Sequence, residues 1–248
     1  MPKREYRTAL YESYVSVQTP EWAAGNAQAS EVRTAANLRR LRDWLPSDKN
    51  SKCLDLGCGS GRFLQALHSL GYSDVCGVDI GPQAVEIARK MGLQATLGDF
   101  RKYLRETHEY FDLITAFDVI EHFGKDEVLD LLQLVRSRLA PNGRFIIQTP
   151  NASSPWASSY RYHDLSHEWI FDPHCMNSTL KLAGFGESYV REVDPYVHGF
   201  NSALRWFGWK LIWTACALWN LIETGNTQGG IYTRNMIVLT SAQRNPHC

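Results

Sequence analysis

A short apolar run that ends in three alternating glycines, Leu54-Asp55-Leu56-Gly57-Cys58-Gly59-Ser60-Gly61-Arg62-Phe63, constrains this chain more than any other feature. It reads as a buried strand turning directly into a helix. Glycine adopts φ > 0 without a Cβ penalty and lets backbone N–H groups approach a ligand that any other residue would exclude. A strand that leaves its sheet through a helix returns by a crossover, which predicts parallel pairing.

The alternation of short β-type and longer helical runs continues from about residue 50 to 150, the pattern of an α/β fold. Strands are expected over 52–56, 74–80, 93–97, 111–117 and 143–149, with helices over 62–70, 83–91 and 127–139. Beyond Pro150 the alternation stops. Residues 151–172 are rich in Ser, Tyr, Trp, His and acids, which suits a functional loop and not a linker. A helix over 175–183 and strands over 187–193 and 231–241 follow, with an apolar insertion between those strands.

The chain has 248 residues and 28.2 kDa, enough for one large domain with a real core. Its 26 basic and 26 acidic side chains cancel, so it lacks the basic excess that binding a phosphate backbone requires. Nucleic acid is therefore excluded as the expected partner. Six cysteines form no C-x-x-C pair, and the first segment, MPKREYRTALYESY, has no apolar signal region. Reduced thiols and a cytoplasmic location are expected.

Asp79 closes the second strand about 20 residues after the glycines, where a carboxylate can accept both hydroxyl hydrogens of a ribose. The turn is G-x-G-x-G, not the dinucleotide G-x-G-x-x-G, so nicotinamide and flavin cofactors lose ground. Asp55 precedes the glycines and would repel a pyrophosphate, but it can order the turn or attract an ammonium group. A nucleoside joined to an amino acid fits both carboxylates.

LDLGCGSGRF, GVDI at 77–80, GDF at 98–100, FDLITAFDVIEHF and LAPNGRFIIQTPN, in that order, resemble the motifs of class I S-adenosylmethionine-dependent methyltransferases over roughly 50–151. The resemblance implies an enzyme with S-adenosylmethionine as cofactor. It implies a Rossmann-like, mostly parallel seven-stranded sheet with an antiparallel last strand and helices on both faces. By the same resemblance Gly57, Gly59 and Gly61, with Asp55 and Cys58, surround the methionine moiety, and Asp79 with Ile80 holds the ribose. Asp99 and Phe100 flank the adenine, Phe117 and Asp118 close the site after the fourth strand, and His122 is a hydrogen-bonding residue behind it. One domain is expected over 1–248: an N-terminal cap (1–50), a cofactor core (51–151), an acceptor loop and the end of the core (152–197), a Trp-rich helical insertion (198–230), and a last strand with tail (231–248). Tyr11 and Tyr14 in the cap are available to the acceptor.

An alcohol acceptor is a poor nucleophile until it loses its proton, and histidine is the usual base near neutral pH. The segment 160–172, YRYHDLSHEWIFD, follows the fifth strand and resembles stretches in ubiquinone-biosynthesis and bacterial polysaccharide-cluster O-methyltransferases. His167 is the expected base, oriented by Asp164 or Glu168, with His163 as second choice. The expected acceptor is a hydroxyl on a small molecule, such as a sugar of a surface glycan or its lipid-linked precursor. A phenol or quinone precursor with a divalent cation, and an amino sugar methylated on nitrogen, are the enzyme alternatives. A catalytically idle cofactor-binding scaffold or membrane adaptor is the non-enzyme one. No resident metal is expected; Asp118, Glu121 and His122 are the set that would hold one, and His163, His167 and Cys175 are a looser second set.

Eight tryptophans exceed the ordinary needs of a core, and four of them fall in 206–219. A helix over 203–222 would be about 30 Å long, a bilayer's hydrocarbon thickness, but Lys210, Thr214 and Asn220 interrupt it. Two readings stay open: a buried lid or homodimer element, and a peripheral helix whose tryptophans lie at the inner face of the membrane with Arg205 and Lys210 at the headgroups.

Overall fold

The computed structural model describes residues 27–162, 164–226 and 230–242, with side chains from Thr34 onward in the first helix. Tyr11, Tyr14 and His163 lie outside the described residues. The chain runs α1 (Ala27–Leu41), β1 (Cys53–Leu56), α2 (Arg62–Ser69), β2 (Val75–Asp79), α3 (Pro82–Lys90), β3 (Gln94–Leu97), α4 (Phe100–Glu106) and β4 (Phe111–Phe117). A 3-10 turn over Ile120–His122 leads to α5 (Lys125–Arg138), β5 (Leu139–Pro150), α6 (Ala157–Arg161), α7 (Pro173–Leu182), β6 (Phe185–Glu192), α8 (Phe200–Thr224) and β7 (Asn235–Ala242).

The seven strands lie in the order β3-β2-β1-β4-β5-β7-β6. β1 to β5 pair in parallel, and β7 is antiparallel to both β5 and β6. The expected architecture is thus the observed one. β1 is buried along its whole length and β4 nearly so, as strands covered on both faces must be. One face carries Leu104, Leu131, Leu132, Met176 and Leu180 from α4, α5 and α7. The other face carries Leu41, Leu64, Leu67, Val85 and Ala88 from α1, α2 and α3.

Two departures from the sequence expectation have local causes. α4 is not foreshadowed by a long apolar period; Asp99 starts it by accepting the Arg101 amide at 2.7 Å, an N-cap that satisfies an otherwise orphaned donor. β5 begins at Leu139, before the Pro141-Asn142-Gly143 turn, because Leu139 pairs with Phe111 and the register then shifts to Leu113–Arg144. Asn142 absorbs that irregularity at φ 66°.

The direction of the strands positions everything that follows. β1, β2, β4 and β5 end on one side of the molecule, at Leu56, Asp79, Phe117 and Pro150. The antiparallel register brings the start of β7 to the same side, with Asn235 opposite Pro150 and Met236 opposite Glu192. α8 therefore leaves β6 and rejoins β7 at the carboxyl end of the parallel strands. Of the readings left open for this helix, burial as a lid does not fit, since Ser202 is the one buried residue in it; the homodimer and membrane readings remain. Trp209 and Trp213 turn toward the body, where the Trp213 indole donates to the Gly230 carbonyl at 2.6 Å and meets Tyr232 edge-on.

Candidate functional site

The glycine turn is held open by close packing beneath it. Gly57 has φ 70°, and a Cβ there would lie 2.6 Å from a Val119 methyl; Gly61 has φ 80°, and its Cβ would lie 2.5 Å from Leu93. Neither position tolerates a side chain. A Cβ on Gly59 would meet nothing within 4 Å, so the turn presents bare backbone to open space between two tightly packed glycines. Cys58 supplies part of the packing, since its Cβ approaches Gly77 of β2 too closely for any larger residue there. Burial pushes the Cys58 thiol up, which makes it a packing group and not a nucleophile.

Two carboxylates face this turn from different depths. Asp79 accepts the amides of Gly59 at 2.8 Å and Gly81 at 2.7 Å, so it ties the turn to the end of β2. Burial raises its pKa against the pull of those amides. Asp55 is buried and accepts the Thr115 hydroxyl at 2.6 Å, and burial pushes its pKa up to about 7. Ile80, half exposed, follows Asp79 at the strand end. Asp99 is engaged by both the backbone and the guanidinium of Arg101, and Phe100 packs edge-on against Phe123. Phe117 sits 4.6 Å from Phe63, at the start of the helix that the glycines open.

After β4 the backbone turns sharply. Asp118 has φ 54°, a conformation that costs a non-glycine residue about 1 kcal/mol or more, and the Gln148 amide donates to both of its carboxylate oxygens at 3.1 Å. The turn directs Glu121 inward and His122 toward the loop after β5. Glu121 is fully buried and accepts the Thr149 hydroxyl at 3.2 Å. Burial first, and the Asp118 carboxylate second, lift its pKa well above the carboxylate range.

The loop from 151 to 172 folds back onto this turn. The Glu168 and Trp169 amides donate to the Glu121 carbonyl at 2.8 and 3.2 Å, and the Ala152 amide donates to Phe171. His167 and His122 are thereby brought together, with ring centroids 5.1 Å apart. His167 Nδ1 lies 2.8 Å from the Tyr160 carbonyl. A carbonyl can only accept, so Nδ1 carries the hydrogen and Nε2 keeps its lone pair.

Asp164 meets His167 through its backbone, its carbonyl accepting the His167 amide at 3.2 Å. Its Oδ1 accepts both the amide of Ser166, at 2.8 Å, and the Ser166 hydroxyl, at 2.6 Å. That hydroxyl has spent its one hydrogen on the carboxylate, so it accepts from His122 Nδ1, 2.7 Å away. The Asp164–Ser166–His122 chain fixes the second imidazole in the same tautomer as the first. Burial, and then the neighbouring His167, lower the His122 pKa to about 4, which keeps the ring neutral. Ser166 had no place in the sequence reading. The D-x-S spacing of an Asx-turn is its only signal, and nothing in the sequence marks Tyr160 as the donor of an orienting carbonyl.

The structure also regroups the metal candidates. Ligand atoms of Glu121, His122 and His167 all lie within 4.8 Å of one another, and Asp118 is outside that set. One carboxylate and two imidazoles match the donor preferences of a divalent transition ion, and one buried Glu121 oxygen has no hydrogen-bond partner among the described residues.

A family described as "Methyltransferase domain" matches residues 27–186. The mitochondrial ubiquinone biosynthesis O-methyltransferase of Schizosaccharomyces pombe is 33% identical over 105 residues, covering 40% of this chain and 37% of that protein. A cyclopropane-fatty-acyl-phospholipid synthase of Escherichia coli is 24% identical over 192 residues, covering 74% of this chain and 47% of that one. The chain thus spans less than half the length of these relatives. A solved S-adenosylmethionine-dependent methyltransferase from Archaeoglobus fulgidus superposes with a TM-score of 0.63 at 20% identity, over 84% of this chain and 93% of that one. That likeness is one of fold.

Proposed function

The chain belongs to the methyltransferase domain family, among the class I S-adenosylmethionine-dependent enzymes, and from that premise we propose that it methylates a hydroxyl oxygen of a small-molecule acceptor. When bound, S-adenosylmethionine would supply a methyl group on a sulfonium, transferred to the acceptor oxygen with the carbon–sulfur bonding electrons departing on the thioether. His167 Nε2 would take the acceptor's proton. Such a displacement asks the protein mainly for alignment and for a base. The observation that carries the reading is the Tyr160 carbonyl at His167 Nδ1, which leaves Nε2 as an acceptor at the carboxyl end of the sheet.

The glycine turn would hold the methionine moiety over Gly59, with Asp55 beneath the ammonium and Asp79 at the ribose. Ile80, Asp99, Phe100, Phe117 and Asp118 would complete the cofactor's surroundings, with His122 behind them as a hydrogen-bonding residue turned toward the acceptor loop. A sugar hydroxyl, on a surface glycan or its lipid-linked precursor, is the acceptor class we assign. Replacing His167 with Ala should lower kcat by about 10²–10³-fold and leave the dissociation constant of S-adenosylmethionine unchanged by calorimetry. Nearly full turnover at saturating acceptor would overturn the base assignment and favour an amine acceptor, such as an amino sugar.

The second reading is a phenol or quinone precursor, favoured by the cluster of Glu121, His122 and His167. These residues would hold a divalent cation, which when bound would acidify the acceptor hydroxyl. The two readings compete for one atom, because His167 Nε2 can take a proton or face a cation but not both. Activity abolished by a chelator and restored by a divalent ion selects the second; unchanged activity selects the first.

A further inference from the structure

The face that α8 turns away from the body has no partner among the described residues, and it is mainly apolar, with Asn201 and Thr214 as its polar positions. Phe200, Leu204, Phe207, Leu211, Leu218 and Ile222 are between 56% and 78% exposed. At 100° per residue these six fall within about 60° of arc, and Trp219, Ile212 and Leu221 widen the apolar sector to about half the helix. No charged residue lies in it. Arg205 and Glu223, 18 residues apart and so at the same angle, flank it on one side and Lys210 on the other, each roughly 110° from its centre, and Lys210 stays tethered to the body through Asp194 at 3.8 Å.

We infer that this face lies on a lipid bilayer, with α8 parallel to the surface and its apolar half in the acyl boundary. Three observations separate a bilayer from a second copy of the chain. First, a helix–helix seam is a narrow stripe, whereas this sector spans about half the circumference. Second, the charged positions Arg205, Lys210 and Glu223 stay outside the sector, so the apolar face can be immersed while the long side chain of Arg205 reaches headgroups. Third, α8 leaves and rejoins the sheet at the carboxyl end of the parallel strands, the side that carries His122 and His167. A bilayer on this face therefore lies at the same side of the sheet as the acceptor loop.

Immersion also reassigns the tryptophans. Trp209 and Trp213 face the body, so they anchor α8 to the protein, and Phe, Leu and Ile, with Trp219 at the edge of the sector, make the contact that the tryptophan count suggested. No helix among the described residues is long and apolar enough to cross a membrane, which fits a helix that lies on the surface.

The inference stands apart from the acceptor assignment, and its test is separate. The full chain should float with phosphatidylcholine vesicles and bind more tightly when phosphatidylglycerol is included. Phe207→Ser, Leu211→Ser and Leu218→Ser together should weaken the partition at least tenfold, while Leu211→Lys alone should weaken it less. Calorimetric binding of S-adenosylmethionine, unchanged in both variants, verifies that the fold survives. No flotation with either vesicle, an unaltered partition in the triple variant, or a wild-type dimer that the triple variant dissociates without any vesicle binding would each overturn the proposal. Loss of cofactor binding by the wild type with flotation intact would instead defeat the methyl-transfer reading alone.

Discussion

Asp79 reaches across 20 residues of sequence to the Gly59 amide, whereas Ser166 reaches across 44 to His122, and both bonds are shorter than 3 Å. The first joins a strand end to the turn just before the helix that separates them, inside one βαβ unit. The second joins the end of β4 to a loop beyond β5, across the pairing of those two strands. On the cofactor side the bond that ties the glycine turn to Asp79 lies within one unit, although Asp55 and Gly57 also lean on Thr115 and Val119, in and just after β4. On the acceptor side the Ser166–His122 bond joins separate units, and the geometry depends on backbone carbonyls such as those of Glu121 and Tyr160. The comparison predicts that damage to the cofactor side shows first as lost stability, and damage to the acceptor side as lost turnover.

The largest effect is expected at Gly61. Its φ of 80° costs an alanine about 1–2 kcal/mol, and the clash with Leu93 and Ala88 adds about 1–3 kcal/mol more. Gly61→Ala should therefore lose about 3 kcal/mol in urea unfolding. Gly61→Ala with Leu93→Ala should recover the Leu93 share of the packing part, and neither the Ala88 contact nor the backbone part. Full recovery would show that the turn is not held in its left-handed form by the glycine.

This division also explains what could be read from residues 1–248 without the structure. Strand ends and the order of the core elements follow from apolar runs bounded by glycine and proline, and those signals are local. The candidates at Asp55, Gly57, Gly59 and Asp79 do converge on one turn because they share one βαβ unit. On the acceptor side, His167 stood out by residue type, but its orienting partner is a carbonyl, which every residue possesses. The same limit applied to α8: four tryptophans drew the eye, yet the outward face follows from the 4-3-4 spacing of Phe200, Leu204, Phe207 and Leu211.

A smaller effect is expected at Asp164, and it should fall on turnover alone. Removing its carboxylate frees the Ser166 hydroxyl to donate to His122 Nδ1, which would push the imidazole into the other tautomer. Asp164→Ala should lower kcat by about 10–100-fold and leave S-adenosylmethionine affinity within about twofold. Asp164→Asn keeps the Asx-turn and should retain more activity than the alanine variant. Equal losses in both would assign Asp164 a role in folding the loop instead of orienting His122, and a parallel loss of cofactor affinity would erase the distinction between the two sides.

The smallest effect is a proton. Asp55 has its pKa raised by burial to about 7, far above the value of an exposed aspartate. A raised folded-state pKa stabilises the fold at pH values below the unfolded pKa, near 4, and that contribution disappears as pH climbs through about 7. The cofactor-free protein should therefore lose about 1.4 kcal/mol between pH 6 and pH 8 from this group, and Asp55→Asn should lack that slope. An ammonium group placed beside the carboxylate reverses the shift, because an opposite charge favours the ionised form. Binding of S-adenosylmethionine near pH 7 should then release about half a proton, and its calorimetric enthalpy should vary between buffers of different ionisation enthalpy. Asp55→Asn should bind the cofactor about tenfold more weakly and release none. A wild-type enthalpy independent of buffer would mean that the ammonium group lies elsewhere, and that Asp55 serves only to hold Thr115 and the turn.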